Sequence, residues 1–153
     1  MSRKPLVFHY GINFSVDGQI RTFPAVEAYV ATKKKEFVWF ILLIDSGATI
    51  SALPKSDADI LGLDYKDGKF MEIYGVGVSS SRGWLHELSI KIGDDKIKLP
   101  FVFLENKNAP RILGRAGIFD RFTVVFEEAK RRSGFIKKGS EEANSISNVL
   151  DRK

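Results

Sequence analysis

An acidic residue closes the longest apolar run in this chain. Phe37 to Ile44 is eight apolar residues of strand-forming type, and Asp45-Ser46-Gly47-Ala48 follows at once. A lone ionised carboxylate at the end of a buried strand is costly, so Asp45 needs hydrogen-bond donors, a charge partner or a proton. Gly47 permits a tight backbone approach that a side chain would obstruct, and Ser46 sets a hydroxyl beside the acid. These residue types suit a carboxylate held at the end of a rigid strand and brought close to an identical carboxylate. Asp-Ser-Gly also caps ordinary turns between strands, and that reading stands beside the chemical one.

The other reactive residue types form no competing constellation. His9 and His86 are far apart and lack a companion for a triad or a metal site, so each reads as a surface or strand-packing residue. Ser79-Ser80-Ser81 has no adjacent base and reads as a solvated loop. Gly75 and Gly77 lack the third glycine and the following helix of a phosphate loop, which leaves a hairpin turn or a lid. Trp39 and Trp84 read as packing residues rather than base-stacking platforms.

The elements that must position Asp45 are strands. Val26, Ala28 and Val30 recur at period two within Ala25 to Thr32, Lys33-Lys34-Lys35 can turn the chain, and Phe37 to Ile44 returns as a largely buried strand. Ile50 to Leu53 follows, then Pro54 and a short helix, with Ser56 able to cap, Asp57 and Asp59 in the first turn, and Gly62 as the stop. Phe70 to Tyr74 and Trp84 to Ile92 are predicted strands joined by a flexible tip over residues 75–83. Ile97 to Leu104 is a strand in which Pro100 suggests an edge or a bulge. Ile112 to Arg115, a helical turn over Ala116 to Arg121, and a closing strand from Phe122 to Phe126 complete the body.

Composition narrows the class. The chain has 153 residues, enough for one domain with its own core, and 44% apolar with 28% charged residues is a globular balance. No cysteine is present, which excludes disulfides, thiolate metal sites and a cysteine nucleophile. No apolar stretch approaches the ~20 residues of a membrane helix, and none follows the basic start as a signal peptide would require. A cytoplasmic protein with no membrane partner is expected. Of the net charge of +5, +4 lies in residues 130–153, so a nucleic-acid partner is unlikely and would involve only this tail. No internal repeat supplies a second copy of the Asp45 motif.

Asp45-Ser46-Gly47-Ala48 behind its apolar run, the Gly75-Val76-Gly77 tip and Ile112-Leu113-Gly114-Arg115, in that order and separation, resemble the retropepsin family of aspartic peptidases. The resemblance covers residues 22–128, with residues 1–21 as an N-terminal extension and 129–153 as a basic, mobile tail. It implies an all-β fold, a closed β-barrel with one or two short helices and one lobe per chain. It further implies an aspartic endopeptidase that works as a homodimer on an extended peptide or protein, with no cofactor and no metal. Asp45 would face Asp45 of a second subunit, the pair sharing a proton and activating a water.

By the same resemblance Ser46 would brace the loops across the dimer axis, Gly47 would offer its backbone to substrate, and Ala48 would support the loop. Tyr74, Gly75, Val76 and Gly77 would form a flap over the peptide, and Ile112, Leu113 and Gly114 would pack behind the catalytic loop. Arg115 would be an ion-pair strut, but Thr49 and Ile50 stand where viral relatives carry its acid. Asp120 or an acid of the other subunit is left as its partner. The rival readings are a dimeric peptide-binding or scaffold module of the same fold with little turnover, and a nucleic-acid-associated protein using the tail.

Overall fold

The computed structural model describes residues 4–75 and 79–152. Its main sheet begins with the predicted hairpin. Strands β4 (Ala25–Ala31) and β5 (Phe37–Ile44) pair antiparallel from Ala25 opposite Leu43 to Ala31 opposite Phe37. The lysine cluster turns the chain, with Lys35 at a positive φ of 64°. Val26, Ala28 and Val30 point inward together with Phe40, Leu42 and Ile44, which is the period-two pattern carried into packing.

Strand β6 (Ser51–Pro54) leads into helix α1 (Lys55–Leu61), which Gly62 ends in the left-handed conformation at φ 68°. The helix starts from Pro54 with no side-chain cap, so Ser56 is not the capping residue expected. Strand β7 (Lys69–Tyr74) and the long β8 (Ser80–Ile92) form the next hairpin, and β8 pairs back along β9 (Asp95–Leu104). The loop between β7 and β8 is narrower than the predicted tip, because Ser80 to Gly83 already pair with β7. Gly83 is a packing position: a Cβ there would meet Val102 at 2.8 Å.

The short strand β10 (Ile112–Leu113) slots between β5, to which it is parallel, and β6, to which it is antiparallel. The strand order is β4-β5-β10-β6-β9-β8-β7, and β4 pairs again with β8 at Tyr29–Lys91 and Val30–Ile90. The pairing therefore returns to its start through six strands, with β7 as a branch. Pro100 lies in an interior strand, but β6 joins β9 only from Phe101 onward, so the missing N–H falls where β9 has a single neighbour. Leu42, Leu53, Ile90, Leu99, Phe101 and Leu113 meet in the core.

The two ends of the chain depart from the sequence reading. Strands β1 (Leu6–His9), β11 (Phe122–Glu127) and β12 (Arg132–Lys137) form a separate antiparallel sheet in the order β1-β12-β11. Phe122 to Phe126 is thus not the closing strand, and residues 129–153, expected as a basic, mobile tail, contain regular elements. They carry β12 and helix α2 (Glu141–Leu150), capped by the Ser140 hydroxyl accepting from the Ala143 amide. The reason is packing: Phe135 inserts between Phe8 and Phe122, at ring-centroid distances of 5.7 and 5.8 Å, and this burial outweighs the polar composition around it. Strands β2 (Gly11–Phe14) and β3 (Ile20–Phe23) make a two-stranded hairpin of their own.

Candidate active site

Asp45 follows the last residue of β5, and its position is fixed by main-chain hydrogen bonds on both sides. Its amide donates to the Leu113 carbonyl at 3.0 Å, and the Leu43 amide donates to the Arg111 carbonyl at 2.9 Å. On the far side of the loop, Arg115 and Ala116 donate their amides to the carbonyls of Ala48 and Thr49, both at 2.9 Å. The segment from Arg111 to Ala116 thus runs along both flanks of the Asp45 loop. Gly114 lies at the crossing. A Cβ there would stand 2.6 Å from the Ile50 carbonyl carbon and 2.9 Å from the Ser51 nitrogen, so only glycine fits.

The carboxylate is oriented by its own loop. Asp45 Oδ1 accepts from the Gly47 amide at 2.8 Å and from the Ala48 amide at 3.2 Å. Among the described residues no donor reaches Oδ2. Asp45 is half-buried, while Ser46 and Gly47 are exposed, so a single protomer presents the acid at its surface. Ile41 and Leu43 precede it on the same face of β5 and, with Phe23, Pro110 and Arg111, line a groove of about 440 Å³. The capping-turn geometry and the chemical reading coexist here: one oxygen serves the turn and the other is left open.

The second motif behaves as support. Ile112 and Leu113 form β10, and Gly114 N–H donates to the fully buried Ser51 hydroxyl at 3.0 Å. Arg115 is exposed, and among the described residues no carboxylate, Asp120 included, pairs with it. The ion-pair strut is made instead by Arg111, four residues earlier. Its Nε and Nη2 reach the two oxygens of Asp57 at 2.7 and 2.8 Å, and its guanidinium lies 4.2 Å from the centre of the Phe40 ring. Asp57, only 2% exposed on α1, holds the Arg111 guanidinium above its usual pKa chiefly through these hydrogen bonds. The pair ties α1 to the residue preceding β10.

Sequence reasoning missed Ser51 and Arg111. The signal for both was a polar residue in an otherwise apolar context: a serine opening a buried strand, and an acid at a helix start whose charge the helix alone does not explain. On the flap side, Tyr74 ends β7, and its hydroxyl donates to Glu72 at 2.7 Å, which raises the phenol pKa. Gly75 is described, whereas Val76 and Gly77 lie outside the described residues. Trp84, on β8, packs edge-on to Tyr65 and Phe70, and Arg82 lies over Phe70 and Trp84. Trp84 is a core residue as expected, but Trp39 is half-exposed on the outer face of β5. His86 braces the turn before β7, its Nε2 2.8 Å from the Tyr65 carbonyl. Among the described residues no three His, Cys, Asp or Glu side chains cluster as metal ligands.

The profile of a protein family described as gag-polyprotein putative aspartyl protease matches residues 26–116, from β4 to just beyond β10. The chain belongs to this aspartyl protease family. The matched span contains the Asp45 loop, the β7–β8 hairpin and the Ile112–Arg115 motif. Among solved structures, a retropepsin-like aspartic protease from Rickettsia conorii is similar at 21% identity with a TM-score of 0.58, covering 86% of this chain and 98% of its own. EIAV protease in complex with the inhibitor HBY-793 is 20% identical with a TM-score of 0.44, covering 61% of this chain and 82% of that one. The retroviral protease-like domain of Ddi1 from Leishmania major is 18% identical with a TM-score of 0.48, covering 76% and 96%. No curated protein matches. The fold of this family member is the all-β, retropepsin-like fold, and among the described residues no helix is long and apolar enough to cross a membrane.

Proposed function

We propose that the chain is one subunit of an aspartic endopeptidase, active as a homodimer in which Asp45 meets Asp45 of a second copy. The observation that carries this is the state of Asp45 in the protomer. It stands on a loop locked by main-chain hydrogen bonds, with Oδ1 fixed and Oδ2 open at the surface, in a member of an aspartyl protease family.

Two such carboxylates about 3 Å apart cannot both be ionised without strong repulsion, so the pair holds one proton, as is general for aspartic-protease dyads. A water between them loses a proton to the ionised member as its oxygen attacks the scissile carbonyl carbon. The protonated member gives its proton to the carbonyl oxygen, forming a neutral tetrahedral diol. The diol collapses: the C–N bond breaks, the nitrogen takes up the proton from the first carboxyl, and one diol hydroxyl returns a proton to the second, so that the pair again holds one proton. The products are a carboxylic acid and an amine, with no covalent enzyme intermediate.

In this reading Ser46 steadies the paired loops, and Gly47 and Ala48 hold the carboxylate plane. The groove beside Ile41 and Leu43 receives an apolar side chain of an extended peptide. Tyr74, Gly75, Val76 and Gly77 close over the peptide as a flap. A cytoplasmic location is part of the same proposal: a chain without cysteine needs no oxidising compartment.

Asp45→Asn is expected to abolish cleavage of a peptide library, by about a thousandfold or more, while circular dichroism and dimerisation stay as in the wild type. Statine-type inhibitors should compete with substrate. Peptide binding without any turnover in the wild-type chain would favour the scaffold module instead.

A further inference from the structure

The β2–β3 hairpin is built like half of an interface. Its register places Ile12 opposite Thr22 and Phe14 opposite Ile20, so Ile12, Phe14 and Ile20 share one face. Their exposures are 63%, 73% and 66%, and Val16 at the turn is fully exposed. The opposite face carries Asn13, Arg21 and Phe23 over the groove beside β5. At the root the bare face is partnered, since the Thr22 hydroxyl accepts from the Arg131 guanidinium. Toward the tip nothing in the described part of the protomer covers it.

The tip itself is well defined. The Ser15 amide donates to the Gln19 carbonyl at 3.0 Å, the Gly18 amide donates to the Ser15 carbonyl at 2.9 Å, and Gly18 takes φ 76°. A defined turn holding an apolar face into water calls for a partner, because an isolated two-stranded ribbon is marginal in water. The root fixes where that partner sits. Phe23 leads into Pro24, whose carbonyl accepts from the Ile44 amide at 3.0 Å, one residue before Asp45. The arm leaves the body beside the loop that, on the proposed reading, is incomplete without a second copy.

We infer that the β2–β3 hairpin is a dimerisation arm, which lays Ile12, Phe14, Val16 and Ile20 on a second copy of this chain and so brings the two Asp45 loops together. This rests on the two-aspartate reading of the site. Charge favours a like copy over an anionic surface: residues 11–23 carry one acid and one base, Asp17 and Arg21, and these pair at 3.6 Å. A membrane or nucleic-acid arm would need a basic excess. The four side chains expose on the order of 500 Å² per protomer, so two arms exchanged about a two-fold axis reach the ~1,000 Å² of a specific interface.

The test uses the full chain with Phe14→Glu and Ile20→Glu together, followed by sedimentation over a dilution series and, separately, by peptide cleavage. The double variant should keep the wild-type circular dichroism, while its dimer dissociation constant rises about a hundredfold. Cleavage should then fall at low protein concentration and recover at high concentration. The chain has no cysteine, so Val16→Cys labelled with a polarity-sensitive dye gives a second readout, a blue shift as concentration rises.

A dimer unchanged by the substitutions overturns the arm, whether or not the wild type cleaves peptides. Dimerisation lost in the variant while the wild type dimerises without cleaving upholds the arm and removes the peptidase reading. A wild-type chain that stays monomeric, or that loses only vesicle or peptide binding on substitution, overturns the arm as stated.

Discussion

The Asp45 loop and the β2–β3 hairpin touch at the bond between Ile44 and Pro24, yet they are held in opposite ways. The loop is stabilised by main-chain hydrogen bonds to Arg111–Ala116 on both flanks, with a glycine at the crossing where no side chain fits. The hairpin has a closed turn and an apolar face left to water. The first region is complete within one chain except for one carboxylate oxygen, and the second is incomplete over most of one face. On the proposed reading, the geometry for chemistry is fixed inside the protomer, while the surface that would double that geometry is left for assembly.

Substitutions separate the two regions, and the largest effect is expected at the crossing. Gly114→Ala forces a methyl into backbone atoms of Ile50 and Ser51, and should cost about 3 kcal/mol or more in chemical denaturation, with cleavage lost alongside. An alanine variant as stable as the wild type would show that the loop can shift. Asp57→Ala strips Arg111 of its bidentate partner. Arg111 keeps 36% side-chain exposure and can turn to water, so the loss should be about 2 kcal/mol, less than for breaking a fully buried pair. Arg115→Ala is expected to change stability far less, and a larger loss there than at Asp57 would reverse the assignment of the strut.

Ser51→Ala leaves the Gly114 amide without its acceptor and should cost about 1–2 kcal/mol. The smallest change is expected away from both regions. The Ser133 hydroxyl is fully buried in β12 with no hydrogen-bond partner among the described residues, so Ser133→Ala should hold or raise the unfolding free energy, by about 1 kcal/mol at most.

Much of this was legible in the amino-acid order. The β4–β5 hairpin declared itself through Val26, Ala28 and Val30 at period two and through an uninterrupted apolar return strand. Asp45 was visible because an acid at the end of such a strand is unusual. The arm was less legible, although Asp17-Gly18 between Phe14 and Ile20 is a hairpin signal, because Asn13 and Arg21 interrupt the apolar pattern. Strand β12 was hidden for a related reason: the lysines and arginines at and just beyond its ends dominate the local composition, while its place depends on Phe135 packing against Phe8 and Phe122, contacts more than a hundred residues apart in one case. The motif points to Arg115 as the strut, and the structure puts Arg111 there, because a motif fixes the backbone around it. The direction of a long side chain is decided by the acid within reach, here Asp57.

The central claim is that one Asp45 from each of two chains makes the working site. It is tested most directly by mixing wild-type chains with Asp45→Asn chains at fixed total concentration, under conditions where subunits exchange, and measuring peptide cleavage against the wild-type fraction. A shared site predicts a quadratic fall, so that an equal mixture retains about a quarter of the wild-type rate. A linear fall to about half would mean that each chain cleaves alone, and would contradict the account.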